Sequence, residues 1–147
     1  MQVNILPFEA RHVDAMAAIE QESFRDPWSK HAYEDELKNP LACYVIAEAE
    51  GQVVGFAGLW HILNEGHITK VAVKSAFRGQ GIGKTLMLAL LAEAKRMRIE
   101  GVTLEVRVGN ASAIHLYNKT GFTGAGIRPG YYPDGEDAMI MWRKEEA

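Results

Sequence analysis

The chain has 147 residues, of which 48% are hydrophobic and 24% charged, and its formal net charge is −3. That length suits one domain, residues 1–147, whose folding removes about 68–70% of the unfolded surface from water without staples. The composition excludes a disordered tail and a fibrous chain, and the mild acidity excludes the bulk electrostatic footprint of a nucleic-acid binder.

In chain order, Val3–Leu6 is a short strand candidate. Arg11–Phe24 carries Val13, Met16, Ala17 and Ile19 at helical spacing. Asp26-Pro27-Trp28-Ser29 breaks that helix, and Ser29 caps a second one that ends at Asn39-Pro40. Ala42–Ala49 and Val53–Ile62 form a hairpin about Glu50-Gly51, and Gly66–Val73 is a further strand. Lys84–Arg98 places Met87, Leu90, Leu91, Ala94 and Met97 on one face, with Gly101 expected to stop the helix. Val102–Val106 alternates as a strand; Asn110 caps a helix that Gly121 terminates; Phe122–Arg128 and Ala138–Trp142 are the last strands. The order β-α-α-β-β-β-α-β-α-β-β predicts an α/β fold, a mixed sheet with helices packed on it.

Cys43 has no partner for an intrachain disulfide and leaves no cysteine zinc site, which points to a reducing compartment; no metal is expected. Met1–Pro7 lacks the basic and apolar regions of a secretory leader, and the apolar run Leu86–Ala92 is far short of the ~20 residues of a membrane span. The expectation is a cytoplasmic protein without membrane or nucleic-acid partners.

Arg78-Gly79-Gln80-Gly81-Ile82-Gly83-Lys84 follows a strand and opens a helix. Such a junction offers unpaired N–H groups and the positive end of a helix dipole, and glycines let a phosphate approach the backbone. The Walker pattern G-x-x-x-x-G-K-S/T fails because Arg78 stands in its first glycine position. The dinucleotide fingerprint G-x-G-x-x-G fails at Lys84. A glycine-rich turn that only caps the helix is the plain alternative. The pattern R/Q-x-x-G-x-G/A is met by Arg78, Gly81 and Gly83. It is the pyrophosphate signature of the GCN5-related N-acetyltransferases, which the chain resembles over nearly its whole length.

The stretch Leu104-Glu105-Val106-Arg107-Val108-Gly109-Asn110-Ala111-Ser112-Ala113-Ile114-His115-Leu116-Tyr117 resembles the E-V-R-x-x-N-x-x-A-x-x-L-Y pattern of the ribosomal-protein-alanine N-acetyltransferases, the RimI enzymes. The segment Tyr131-Tyr132-Pro133-Asp134-Gly135-Glu136-Asp137-Ala138-Met139-Ile140-Met141 resembles their Y-Y-x-x-x-x-E-D-A-x-x-M ending, and Pro27-Trp28-Ser29 fits too. The resemblance implies a GNAT fold with a mostly antiparallel, seven-stranded mixed sheet. It implies acetyl-CoA as co-substrate, its pantetheine arm along Val71-Ala72-Val73 and its pyrophosphate on Arg78, Gly79, Gln80, Gly81, Ile82, Gly83 and Lys84, with Asn110 also touching it. It implies Glu105 as proton acceptor and Tyr117 as proton donor. Tyr131 and Tyr132, with Phe24 to Trp28, would wall a groove for a protein N-terminus, most of all the alanine of small-subunit ribosomal protein eighteen.

Read from the residues alone, strand alternation puts Glu105 opposite Leu104 and Val106, off the core face. An α-amine has a pKa near 7.7–8.0, so one carboxylate, directly or through a water, is base enough. His67, just before the cofactor strand, is the rival base, acting in place of Glu105 or beside it. A lone strand glutamate is otherwise a solvated residue, and Tyr117 could be core at helical spacing. His12, His31, His61 and His115 are expected at the surface. Two further readings remain open: a small-molecule amine or lysine side chain as acceptor, and a non-catalytic acyl-CoA-binding module.

Overall fold

The first strand, β1 (Asn4–Pro7), pairs antiparallel with β2 (Ala42–Ala49) at the edge of one seven-stranded sheet. Further strands are β3 (Gln52–Ile62), β4 (Glu65–Val73), β5 (Gly101–Arg107), β6 (Thr123–Arg128) and β7 (Ala138–Lys144). The order across the sheet is β1-β2-β3-β4-β5-β7-β6, and every pairing is antiparallel except β4 with β5. Helices α1 (Val13–Ser23), α2 (Lys30–Lys38), α3 (Ile82–Arg96) and α4 (Ala111–Lys119) complete the fold, which is the α/β arrangement expected from the sequence. This computed structural model describes residues 1–145. None of its helices is long and apolar enough to cross a membrane.

Helices cover the central strands from both sides. On one face, Val13, Met16 and Ile19 of α1 and Tyr33 of α2 pack with Tyr44, Ile46 and Phe56. On the other, Leu86, Met87, Leu90 and Ala94 of α3 and Tyr117 of α4 pack with Val45, Ala47, Ala57, Leu59 and Leu104. Tyr44 and Ile46 therefore face α1 and α2 while Val45 and Ala47 face α3, so β2 reads as an apolar run from Ala42 to Ala47, broken only at Glu48. By contrast β5 alternates, with Val102, Leu104 and Val106 buried and the residues between them partly exposed.

Ser29 caps α2 by accepting from the Ala32 N–H, and Asn110 caps α4 by accepting from the Ala113 N–H, as their positions predict. Gly121, at φ 99°, ends α4 as expected: its N–H bonds the Asn118 carbonyl and that of Phe122 the Tyr117 carbonyl. Three local expectations need correction. The first helical turn, Ala10–His12, is 3-10, and α1 begins at Val13. Gly101 does not stop α3 but opens β5; the helix ends through left-handed Arg98 (φ 61°), with the Arg98 N–H on Lys95 and the Ile99 N–H on Ala94. Burial of Ile99 to 2% exposure offsets the cost of putting a side-chain-bearing residue there. His12 lies inside, not at the surface: fully buried, its Nδ1 accepts from the Glu9 N–H at 2.9 Å, which closes the turn and draws the ring inward.

The sheet's one irregularity that matters for function lies in β4. Gly58 pairs with Lys70 and Leu59 with Ile68, so Thr69 is an extra residue, a bulge. Pairing of β4 with β5 covers only Glu65–His67 against Gly101–Thr103. Beyond His67 the two strands part.

Candidate active site

Where β4 and β5 part, a cleft of about 580 Å³ opens through the sheet. Its walls include Lys70 and Val71 from β4, Glu105 and Arg107 from β5, Tyr117 from α4 and Asn110 that caps it, Phe24 and Asp26 from the α1–α2 segment, and Tyr132 and Glu136 from the β6–β7 loop. Five elements of the fold thus meet at one opening.

Glu105 is the carboxylate at its centre. Its side chain is 11% exposed, and its Oε2 lies 2.8 Å from His67 Nε2, so an ionised Glu105 accepts a charge-assisted bond from that ring. The structure therefore sets His67 beside Glu105 and hydrogen-bonded to it.

Tyr117 is buried in α4, edge-on to Phe122 at 6.0 Å between centroids, with its ring on the apolar core. Among the described residues its hydroxyl has no hydrogen-bond partner. Burial raises its pKa above the usual phenol value, so the proton stays on oxygen throughout the neutral and mildly alkaline range.

The Arg78–Lys84 loop sits beside the end of β4. Gly81 is the N-cap of α3 at φ 81°. Within the described residues, the N–H groups of residues 79–84 donate no hydrogen bond, and the first helical bond is Thr85 N–H to the Gly81 carbonyl. A methyl added at Gly79 or Gly81 would meet nothing within 4 Å. Free amides, open glycines and a helix N-terminus together fit a diphosphate. Ile82 points away, into the core at 2% exposure, while Gln80 and Lys84 are exposed. The Arg78 guanidinium is engaged with the protein: Nε donates to the Val73 carbonyl at 3.0 Å and Nη2 to Ser23 Oγ at 3.2 Å. Val71, Ala72 and Val73 pair with β3 on one side and, past the parting point, not with β5 on the other; Val71 lines the cleft. Asn110 Oδ1 is taken by its helix cap.

The β6–β7 loop is tied down by Arg107. Its Nη1 reaches both Asp134 oxygens at 2.9 Å and Glu136 Oε1 at 3.0 Å, and its guanidinium lies 4.0 Å over the Tyr132 ring. The guanidinium bond holds the Asp134 carboxyl down at about 2. Burial pushes the Tyr132 phenol up to about 12. Arg25 also donates to Asp134, joining this loop to the α1–α2 segment across the cleft. Tyr131, expected to wall the groove with Tyr132, has its phenol pKa raised by burial and then by the charge of Glu105. It is 47% exposed and stacks edge-on against Tyr132.

Two residues not expected at the site are Glu20 and Lys70. Glu20 is fully buried and its Oε2 takes a 2.8 Å ion pair from Lys70. The signal was there: Glu20 follows Met16 by four residues on the apolar stripe of α1, and Lys70 interrupts the apolar run of β4. Among the described residues no cluster of His, Cys, Asp and Glu could hold a metal ion. Burial raises the Cys43 thiol pKa, which keeps it unreactive.

A sequence profile of the acetyltransferase (GNAT) family matches residues 13–122. A provisionally named ribosomal protein bS18-alanine N-acetyltransferase of Bacillus subtilis (strain 168) is 41% identical over 132 residues, 88% of this chain and 87% of that protein. An N-alpha-acetyltransferase of Sulfurisphaera tokodaii is 33% identical over 142 residues, 88% of this chain and 85% of that protein. The crystal structure of the ribosomal-protein-S18-alanine N-acetyltransferase from Escherichia coli superposes with a TM-score of 0.91 at 32% identity, covering 99% of this chain and 96% of that one.

Proposed function

This chain belongs to the acetyltransferase (GNAT) family, and from that premise we propose that it is an Nα-acetyltransferase of protein N-termini, using acetyl-CoA in the cytoplasm. The acceptor is the N-terminal alanine of a ribosomal protein of the small subunit, as the names of its relatives state for them. The observation that carries the reading is the placement of Glu105 and Tyr117 on one cleft, at the point where β4 leaves β5. The single domain covers the described fold.

Acetyl-CoA supplies the thioester. The amides of residues 79–84 hold its diphosphate, the Val71–Val73 edge takes the pantetheine arm as an added strand would, and the Asn110 side-chain amide contacts it as well. A backbone N–H within Val71–Val73 holds the carbonyl oxygen as charge develops there. Glu105, directly or through one water, takes the proton of the attacking α-amine as the N–C bond forms. Tyr117 gives its proton to the sulfur as the C–S bond breaks. An α-amine at pKa 7.7–8.0 is partly neutral at physiological pH, about 7.4, whereas a lysine at 10.4 is neutral there at only about one part in a thousand, so a single carboxylate serves the first and not the second. Tyr132 and the α1–α2 segment flank the entering peptide.

A peptide-array assay tests the proposal. Arrays of alanine N-termini, internal lysines and small amines are incubated with acetyl-CoA, and mass spectrometry locates the acetyl group. Modification on the alanine α-amine is the expected result. Modification confined to lysines or small amines overturns it.

A further inference from the structure

Lys70 enters β4 between the bulged Thr69 and Val71, and its side chain is only 12% exposed. Its ammonium donates to Glu20 Oε2 at 2.8 Å and stands 4.0 Å over the Phe24 ring and 5.0 Å over that of Trp28. Glu20 cannot swing away. Its Oε2 also accepts from the Trp28 N–H at 3.0 Å, its Oε1 accepts from the Tyr33 hydroxyl, and it is wholly buried. What is left of Lys70 lines the cleft beside Phe24, next to Val71 and on the same opening as Glu105.

An ammonium neutralised in this way offers little charge to an entering ligand. Its contribution to the cleft is the volume of its stem, which covers two aromatic faces. We propose that Lys70, locked by Glu20, is a specificity-determining residue that fills the subsite for the first side chain of the acceptor polypeptide. N-termini with small first residues fit against it. Large apolar ones, which the uncovered faces of Phe24 and Trp28 would bind, are kept out by bulk. The inference rests on the N-terminal acceptor reading above and adds the residues that set its selectivity.

The test compares kcat/KM for two peptides that differ only in starting with Ala or Leu. The first variant is Glu20→Gln with Lys70→Ser. It empties the space without leaving a buried carboxylate unpaired, and the glutamine oxygen still accepts from Trp28. The second is Glu20→Gln with Lys70→Met, which refills the space without charge. The Leu/Ala ratio is expected to rise at least about tenfold in the first, mainly through a lower KM for the Leu peptide, and to stay within about threefold of wild type in the second. A common fall for both peptides with an unchanged ratio assigns Lys70 a structural role only and overturns the proposal. So does an equal loss of discrimination in both variants, which would make the ion pair the selective feature. If wild type acetylates no peptide N-terminus, the acceptor reading itself falls and this subsite with it. If it acetylates the Ala peptide and the ratio never moves, the subsite alone falls.

Discussion

His67 Nε2 and Glu105 Oε2 meet at 2.8 Å just past the last rung that β4 and β5 share. The imidazole cannot drift, because its strand is pinned there by β3 on one side and β5 on the other. The carboxylate thereby lines the opening with Oε2 on the ring and, among the described residues, no hydrogen bond to Oε1. Replacing Glu105→Gln keeps the shape and removes the base, so kcat for an alanine peptide at pH 7 is expected to fall by about 10²–10⁴. His67→Gln is expected to cost less, because the ring orients Glu105. Steady-state kinetics on the two variants decide between them, and a silent His67 variant beside an active Glu105 variant would make the imidazole the base.

Tyr117 separates catalysis from stability. Among the described residues its hydroxyl makes no internal hydrogen bond, so Tyr117→Phe is expected to lower kcat by about 10²–10⁴ while Tm holds or rises slightly. Tyr117→Ala also loses its packing on Phe122 and costs about 3–5 kcal/mol. The raised pKa sets the pH profile. A phenol whose pKa is raised keeps its proton as pH climbs, so the wild-type rate rises from pH 6 to 8 as the substrate amine deprotonates, then stays flat to about pH 10. A decline beginning near pH 9 would show that another donor works.

Gly81 carries the turn into α3 at φ 81°. Gly81→Ala meets no atom, so its cost is conformational, about 1–2 kcal/mol, and the loop relieves it by rotating its amides. Coenzyme A affinity measured by calorimetry is expected to drop at least about tenfold. An unchanged affinity would move the diphosphate away from this loop.

Gly58 tests the packing beneath the cleft. A methyl there would sit 2.1 Å from the Tyr44 ring, which is held by bonds from its hydroxyl to Glu36 and Thr69. Gly58→Ala is expected to destabilise by about 1–3 kcal/mol or more, read as a lower urea midpoint with an unchanged slope. A variant as stable as wild type would mean that Tyr44 repacks freely.

Two helix ends show how far local signals reach. Both α3 and α4 finish with the same pair of backbone bonds, yet Gly121 marks one in the sequence and Arg98 hides the other. Glycine announces a left-handed position because it adopts it at little cost; arginine adopts it here because Ile99 is buried one residue later, and that burial exists only in the folded chain.

The sequence alone settled the order of strands and helices, the caps at Ser29 and Asn110, and the glycine loop with its free amides. Each depends on residues within a turn or two of one another, where period, capping and backbone freedom act directly. Folding alone decided that β4 parts from β5, that His67 grips Glu105, that Arg107 binds down the β6–β7 loop, and that Glu20 and Lys70, 50 residues apart, pair in the interior. Those outcomes are set by burial, by register between distant strands and by electrostatics in a drier medium, quantities that no stretch of unfolded chain possesses.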